Sequence, residues 1–358
     1  MSLPNLFPDV ESASQLFLRI GFLVLLLSFG VLLVVLFMRF SQGRQERRRN
    51  LLVLRWRPVL SESALGHPVI LPEFHRQDMP ALLALWNHDV EAAQGKMQGG
   101  MALLARAAGL DKAALQLLER GWVRERLLAI VTLGNLREPA ALETLLRTVR
   151  ADNPFLSLAA GRAAVQIDPA VAMPVLAPLI AARTDWPEDR VAGLLREAGP
   201  QAVAEPLTAV MATASPEQAL RLIHYLEFSD PATALAALRR ILRESVDPEW
   251  IAASLQVIAH LGERGDLEAV RGFLAHPGWV VRLQAVNALG SLGEAEDEER
   301  LVGMLRDPQW WVRYRAAQAV TGLKSMEIGR LRKLQEAEKD PFARDILRQA
   351  ASEQGMTL

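Results

Sequence analysis

The chain contains no cysteine, and only two of its 358 residues are tyrosine. The absence of cysteine excludes disulfide bonds, thiolate catalysis and zinc sites built on cysteine. Aromatic residues make up only 6% of the chain, whereas leucine, alanine and arginine are abundant. These abundant residues lose little side-chain freedom in a helix, so the composition favours helices.

The chain also lacks a net basic charge. Its formal net charge is −1, but residues 1–57 carry a net +5, which leaves residues 58–358 at −6. Phosphate binding requires a basic surface, so this balance argues against nucleic acid as a partner. The positive charge lies beside a single hydrophobic segment.

That hydrophobic segment covers residues 20–38, and its nineteen residues, IGFLVLLLSFGVLLVVLFM, include no charge. As a helix it would extend about 28 Å, close to the thickness of the hydrocarbon core of a bilayer. We therefore predict a transmembrane helix at 20–38, preceded by a short N-terminal segment at 1–19. A cleaved signal peptide is the alternative, but Asp9 and Glu11 lie where such a peptide is basic.

Arginines flank the predicted span unequally. Only Arg19 precedes it, whereas five arginines follow it closely: Arg39, Arg44, Arg47, Arg48 and Arg49. The positive-inside rule therefore predicts a single-pass protein with its N-terminus outside and its C-terminal domain in the cytoplasm. The same arginines are also suited to contact anionic lipid head groups.

A 31-residue period dominates the C-terminal part of the chain. The segment HPGWVVRLQAVNALGSLG at 276–293 aligns without a gap with DPQWWVRYRAAQAVTGLK at 307–324. The period extends back through a set of apolar positions that we call the core ladder. Its members are Leu133, Ala164, Leu195, Leu226, Ile258, Leu289 and Val320. This period fits pairs of short helices, so we predict an all-α solenoid whose stacked hairpins share one core.

The repeat also predicts the domain organisation. About seven repeats of ~31 residues fill residues 119–345, and residues 346–358 form a tail. The boundaries of the repeats between 185 and 244 stay open because the pattern is weak there. Residues 79–118 are predicted as a helical cap. Residues 39–78 are predicted as a basic juxtamembrane region and proline-rich linker, extended from Leu51 onward.

The two aligned segments resemble the HEAT-repeat family, and the resemblance covers about residues 119–340. It implies a hydrogen-bonded ladder between repeats, formed by an aspartate before the first helix and an arginine after its valine. In this chain the matching residues are Asp307, Arg282 and Arg313. The segment LPEFHRQDMPALLALWNHDVEAAQG at 71–95 also resembles membrane-anchored bacterial HEAT proteins of envelope polysaccharide synthesis. That resemblance implies a bacterial inner-membrane protein whose partner is a membrane glycosyltransferase or an export complex.

No sequence motif for catalysis, a cofactor or a metal site is present. We therefore expect a scaffold that binds a protein partner, not an enzyme. The alternatives are a helical-repeat enzyme of the cofactor-lyase type and, less favoured by the charge, a nucleic-acid-binding HEAT protein. The acidic run 296–299 is interpreted as favourable charge at a helix N-terminus.

Two groups of residues are candidates for partner binding. Tryptophans recur at the starts of successive first helices of the repeats, and three arginines form a basic stripe on a second helix. These residues are Trp250, Trp279, Trp310, Trp311, Arg239, Arg240 and Arg243. The alternative is that each tryptophan packs against the neighbouring turn and that the stripe is a solvated face.

Overall fold

The computed structural model describes residues 10–93, 95–323 and 326–356. Within these ranges the regular structure consists of nineteen α-helices and seven short 3-10 turns, without a strand. The prediction of an all-α fold is therefore confirmed. The chain divides into two compact units, an N-terminal unit at Met1–Leu117 and a C-terminal unit at Leu118–Leu358.

The N-terminal unit begins with a 55-residue helix. Its helices are α1 (Val10–Ala64), α2 (Met79–Ala92) and α3 (Lys96–Ala107), and α4 (Leu110–Arg120) begins within it. The expectation of an extended chain from Leu51 is wrong, because α1 continues through Pro58 to Ala64. Leu52, Trp56 and Leu60 recur every four residues and are buried where α1 packs on α2 and α3. This burial offsets the roughly 3 kcal/mol that a proline costs inside a helix.

The predicted membrane span at 20–38 lies within α1. Among the described residues, no helix combines the length and the apolar character that crossing a membrane requires. The described apolar side chains between Phe22 and Met38 are exposed. Residues 1–9 and the side chains at 10–21, 24, 37 and 40–45 lie outside the described part of the chain. The span therefore stays a prediction from the sequence.

The C-terminal unit is a succession of short helices. They are α5 (Val123–Asn135), α6 (Leu142–Thr148), α7 (Pro154–Ile167), α8 (Pro169–Ala182), α9 (Glu188–Ala198), α10 (Pro200–Met211), α11 (Pro216–Tyr225), α12 (Pro231–Glu244), α13 (Pro248–Leu261), α14 (Leu267–Gly272), α15 (Trp279–Leu292), α16 (Glu298–Gly303), α17 (Trp310–Gly322), α18 (Ile328–Ala337) and α19 (Pro341–Glu353). The predicted tail from 346 is helical up to Glu353, because Ile346, Leu347 and Ala350 are buried.

Many of these helices start by the same local rule. A polar N-cap side chain accepts a backbone N–H of the first turn, and a proline follows it directly. The N-cap residues are Asn153, Asp168, Ser215, Asp230, Asp247 and Asp340. The cap satisfies a donor that the helix leaves free, and proline at this position loses no helical hydrogen bond.

Stacking of alternate helices forms the core of the C-terminal unit. Helix α5 packs on α7, and α13, α15, α17 and α19 pack in sequence. All members of the core ladder are fully buried. A Cβ at Gly290 would lie 2.7 Å from the Cβ of Ala319, so α15 and α17 approach to a distance that only glycine permits there. The prediction of a helical solenoid with a shared core is confirmed.

Candidate functional site

The starts of α13, α15, α17 and α19 lie along one edge of the C-terminal unit. A Cβ at Gly278, in the turn before α15, would lie 3.8 Å from the Cβ of Pro248, the first residue of α13. Arg282 on α15 reaches the turn before α17, where its Nε and Nη2 donate to the carboxylate oxygens of Asp307 at 2.7 and 2.9 Å. Arg306, in that same turn, donates to Glu338 before α19 at 2.9 Å. These contacts hold the four helix starts together.

Exposed aromatic side chains lie along this edge. We call the set the aromatic row, and its members are Trp250, Trp279, Trp310, Trp311 and Phe342. The exposed fraction is 38% for Trp279, 43% for Trp310, 55% for Trp311 and 70% for Phe342, while Trp250 is half-buried. Contiguous exposed aromatic surface is typical of a binding site, so the row is the candidate interface of this unit.

The sequence prediction missed one member of the row, Phe342. The signal that identifies it is Asp340-Pro341, which repeats the Asp307-Pro308 dipeptide at the start of α17. The structure shows why this position is exposed. Phe342 is the second residue of α19, where its backbone N–H is bonded to Asp340 at 3.0 Å and its side chain points away from the core.

Two of the tryptophans are held in fixed positions by their neighbours. The Trp310 ring stacks on Tyr314 with centroids 5.2 Å apart, and Trp311 meets Trp310 edge-on at 4.7 Å. The Tyr314 hydroxyl donates to Glu353 at 2.9 Å, and this hydrogen bond, together with burial, raises the pKa of Tyr314. A rigid aromatic side chain loses little freedom on binding, which suits Trp310 and Trp311 to anchor a partner.

Arginines bonded to buried aspartates join consecutive repeats. Arg239 on α12 donates to both carboxylate oxygens of Asp266 at 2.6 and 3.1 Å. Arg271 on α14 binds Asp297 in the same way at 2.7 and 3.0 Å. The two buried aspartates also accept the backbone N–H of Glu263 and of Glu294.

The charge of these aspartates is stabilised by their partners. Burial by itself raises the pKa of Asp266, but hydrogen bonds from Arg239 and the Glu263 N–H outweigh it, and the pKa lies below its usual value. Asp297 has a lowered pKa for the same reasons, with Arg271 as its main partner. Both carboxylates are therefore ionised at neutral pH, and their role is to link the repeats.

The structure places the predicted arginines in different surroundings. Arg282 forms the expected bridge to Asp307, whereas Arg313 donates to the backbone carbonyls of Asp307 and Pro308, at 2.8 and 3.2 Å. The carboxylate one repeat beyond Asp307 is Glu338, and Arg306 is bonded to it instead. The Nε of Arg313 is buried without a hydrogen-bond partner in the described part of the chain.

The basic stripe is divided between structural and exposed residues. Arg239 is bonded to Asp266 and Glu263, so its side chain holds the repeat together. Arg240 and Arg243 are exposed, and a role for them in binding stays a prediction. The interpretation of the acidic run 296–299 as simple helix-terminal charge is incomplete, because Asp297 is buried in the pair with Arg271. A repeated Gly-Glu-x-x-Asp pattern at 262–266 and 293–297 was the available signal.

The remaining candidates contribute little to a site. Arg39, Arg47, Arg48 and Arg49 are exposed on α1, and the side chain of Arg44 lies outside the described residues. Arg48 donates to Gln77 at 3.2 Å. The residues that the structure describes contain no cluster of histidine and carboxylate side chains that could hold a metal ion.

Comparison with known proteins agrees with the repeat pattern. Residues 245–321 and 267–353 match the family described as HEAT repeats, and these residues include the aromatic row. A search of curated proteins found no significant match. The match supports the resemblance for this part of the chain.

Similar solved structures cover most of this chain at low identity. A crystal structure of importin beta is 15% identical over 86% of this chain, with a TM-score of 0.42. An engineered protein is 13% identical over 84% of this chain, with a TM-score of 0.35, and the aligned region covers 89% of it. The Pds5–Scc1 complex is 11% identical over 80% of this chain, with a TM-score of 0.31. The chain spans 41% of the importin beta chain and 55% of the Pds5–Scc1 match.

Proposed function

We propose that this chain is a membrane-tethered scaffold that binds a protein partner through the aromatic row. The observation that carries the proposal is the exposure of aromatic side chains at the starts of three stacked helices, α15, α17 and α19. Keeping such side chains in water costs free energy that binding to a partner recovers, and aromatic residues dominate the energetics of protein interfaces. The geometry offers them as one continuous edge.

The tether in this proposal is the segment 20–38, in the inner membrane of a bacterium, with the C-terminal unit in the cytoplasm. The support is its uncharged sequence, the exposure of its described apolar side chains and the arginines that follow it. A tether raises the local concentration of the scaffold near other membrane proteins, so a modest affinity suffices for binding. The partner class is a membrane glycosyltransferase or an export complex, which rests on the resemblance of residues 71–95.

Site-specific photocrosslinking of the full chain in intact cells tests partner binding. Trp311→p-benzoylphenylalanine places the crosslinker in the aromatic row, and the same substitution at the exposed Glu336 on α18 is the control. We expect a discrete adduct containing a membrane protein from position 311 and none from position 336. Trp279→Ala together with Phe342→Ala should reduce the yield about tenfold or more, as expected for two anchor residues. Equal adducts at both positions would contradict the proposal.

Fractionation of the full chain tests the tether separately. We expect the chain to remain in the membrane pellet after an alkaline wash. Leu26→Arg with Val34→Arg should release it, since each arginine at the centre of a span costs about 3 kcal/mol. Release of the unmodified chain by the wash alone would contradict the membrane tether. It would leave the proposal of partner binding through the aromatic row untouched.

A further inference from the structure

The stack formed by the first helix of each repeat, such as α7, α9, α11 and α13, is interrupted in the middle of the C-terminal unit. Helix α7 packs on α9 and α11 packs on α13, but α9 and α11, both fully described, make only a marginal contact. A cleft of about 480 Å³ opens between them, lined by Glu188, Asp189, His224, Tyr225, Glu227 and Phe228, with Ala192 and Gln256. It therefore combines polar and aromatic walls away from the aromatic row.

The lining of this cleft is acidic. It contains three carboxylates and neither lysine nor arginine. Glu188 and Asp189 lie at the start of α9, where a helix N-terminus favours negative charge, and Glu227 lies on the short 3-10 turn after α11. Three cations lie near: Arg190 is 3.7 Å from Asp189, Arg196 lies over the Phe228 ring at 5.9 Å, and the charge of Arg221 acts on Tyr225.

Tyr225 gives a second, independent indication of a ligand. Only 7% of this residue is exposed, and no hydrogen bond between its hydroxyl and a described residue contributes to its pKa. The hydroxyl oxygen is not among the fully buried polar atoms, so it is open to a ligand although most of the ring is buried. Because Tyr225 lines the cleft, the part of it that stays exposed faces the cleft. Burial, followed by the charge of Glu188, raises the pKa of Tyr225 against the opposing effect of Arg221, so the hydroxyl is neutral.

We propose that this cleft binds the guanidinium side chain of an arginine from a partner protein. The planar guanidinium carries five donors, enough for Glu188, Glu227 and the Tyr225 hydroxyl together, and it also stacks on aromatic faces. The contact of Arg196 with Phe228 shows that the wall already accepts a guanidinium against an aromatic ring. The proposal rests on the scaffold function in assigning the arginine to a partner protein.

The test measures binding of small probes to the purified full chain by ligand-observed saturation-transfer NMR. The probes are N-acetyl-arginine methylamide, its neutral citrulline analogue and agmatine, a free cation. We expect the arginine probe to bind and the citrulline probe not to bind. Glu188→Gln with Glu227→Gln should weaken binding about tenfold, and Tyr225→Phe about threefold, as expected for lost charge-assisted and neutral hydrogen bonds. Glu249→Gln, an exposed change on α13 outside the lining, should leave binding unchanged.

Equal binding of the arginine and citrulline probes, or unchanged binding by the Glu188→Gln, Glu227→Gln variant, would overturn the proposal. Binding of agmatine without the arginine probe would overturn the assignment to a partner side chain. The circular dichroism spectrum of each variant must match the parent, which the exposed position of the two glutamates favours. Because no partner protein is needed, this measurement fails or succeeds independently of crosslinking at the aromatic row.

Discussion

Two regions of the C-terminal unit solve the same packing problem with different contacts. In the periodic region, residues 248–353, three arginines donate to carboxylates of the next repeat: Arg271 to Asp297, Arg282 to Asp307 and Arg306 to Glu338. In the middle region, residues 185–244, and the turn before it, Arg183 and Arg221 donate to backbone carbonyls of other repeats instead, whereas Arg239, near its end, already donates to the carboxylate of Asp266. Arg183 donates to the carbonyl of Ala151 at 2.8 Å, and Arg221 to those of Ala181 and Arg183 at 3.2 Å.

This difference explains why one region has a visible sequence repeat. A carboxylate acceptor requires an acidic residue at a fixed position, so the pattern recurs in the sequence. A carbonyl acceptor is present at every residue, so no residue type has to recur. The tryptophans also differ between the two regions. Trp186 lies three repeats before Trp279, but it is buried beside Arg183, whereas Trp279 is exposed.

The largest expected effect comes from core substitutions, which test whether the middle region is packed as tightly as the periodic region. Leu289→Ala and Leu226→Ala each remove a fully buried core-ladder side chain. We expect both to lower the local free energy of opening by about 3–5 kcal/mol, as large-to-small changes in a core do. Hydrogen exchange of the full chain, resolved for each helix, measures this free energy of opening. An effect of Leu226→Ala below half that of Leu289→Ala would show that the middle region is loosely packed.

The next largest effect distinguishes arginines that donate to a carboxylate from arginines that donate to backbone carbonyls. Asp297→Ala leaves Arg271 without its main partner, and we expect α14 to α16 to lose about 2–4 kcal/mol of protection. The control is Asp185→Ala, which removes the exposed carboxylate beside Arg183 but leaves the carbonyl acceptors in place. We expect no measurable change in protection of α7 to α9. A similar loss from both variants would remove the proposed distinction.

Acid should weaken the periodic region selectively. The pKa of Asp266 and of Asp297 is lower in the folded chain than its usual value. Their contribution to stability is therefore complete above the unfolded value of about 3.9 and is lost as the pH falls through the lowered folded value. We expect protection of α14 and α16 to fall below about pH 4 more steeply than that of α10. The double substitution Asp266→Asn, Asp297→Asn should make the protection of α14 and α16 depend on pH no more steeply than that of α10.

The smallest stability effect belongs to the aromatic row. Trp311→Ala should change the free energy of unfolding by about 0.5 kcal/mol, because the side chain is exposed and loses only its edge-on contact with Trp310. Trp310→Ala should cost about 1 kcal/mol through the lost stacking on Tyr314. Thermal unfolding of both variants measures the difference. A large cost for Trp311→Ala would reassign this residue from binding to structure.

Much of the architecture was predictable because it depends on local rules. Proline after a capping residue marks helix starts such as Pro154 and Pro248, and the apolar period located side chains that are fully buried. The continuation of α1 through Pro58 was not predictable, because the burial of Leu52 and Trp56 against other helices overrides the local signal. The aromatic row was predicted only in part. Its exposure depends on how the neighbouring turns pack, which the sequence pattern does not specify.

The sequence by itself determined the helices, their 31-residue period and the side chains that fill the core, since these follow from backbone preference and apolar spacing. Only the tertiary structure decided which arginines act as links between repeats, which tryptophans stay exposed, and where the cleft beside Tyr225 opens. Those outcomes depend on the distance between segments about thirty residues apart. A hydrogen bond or a close contact forms or fails over about one ångström, and sequence spacing does not fix distances to that precision.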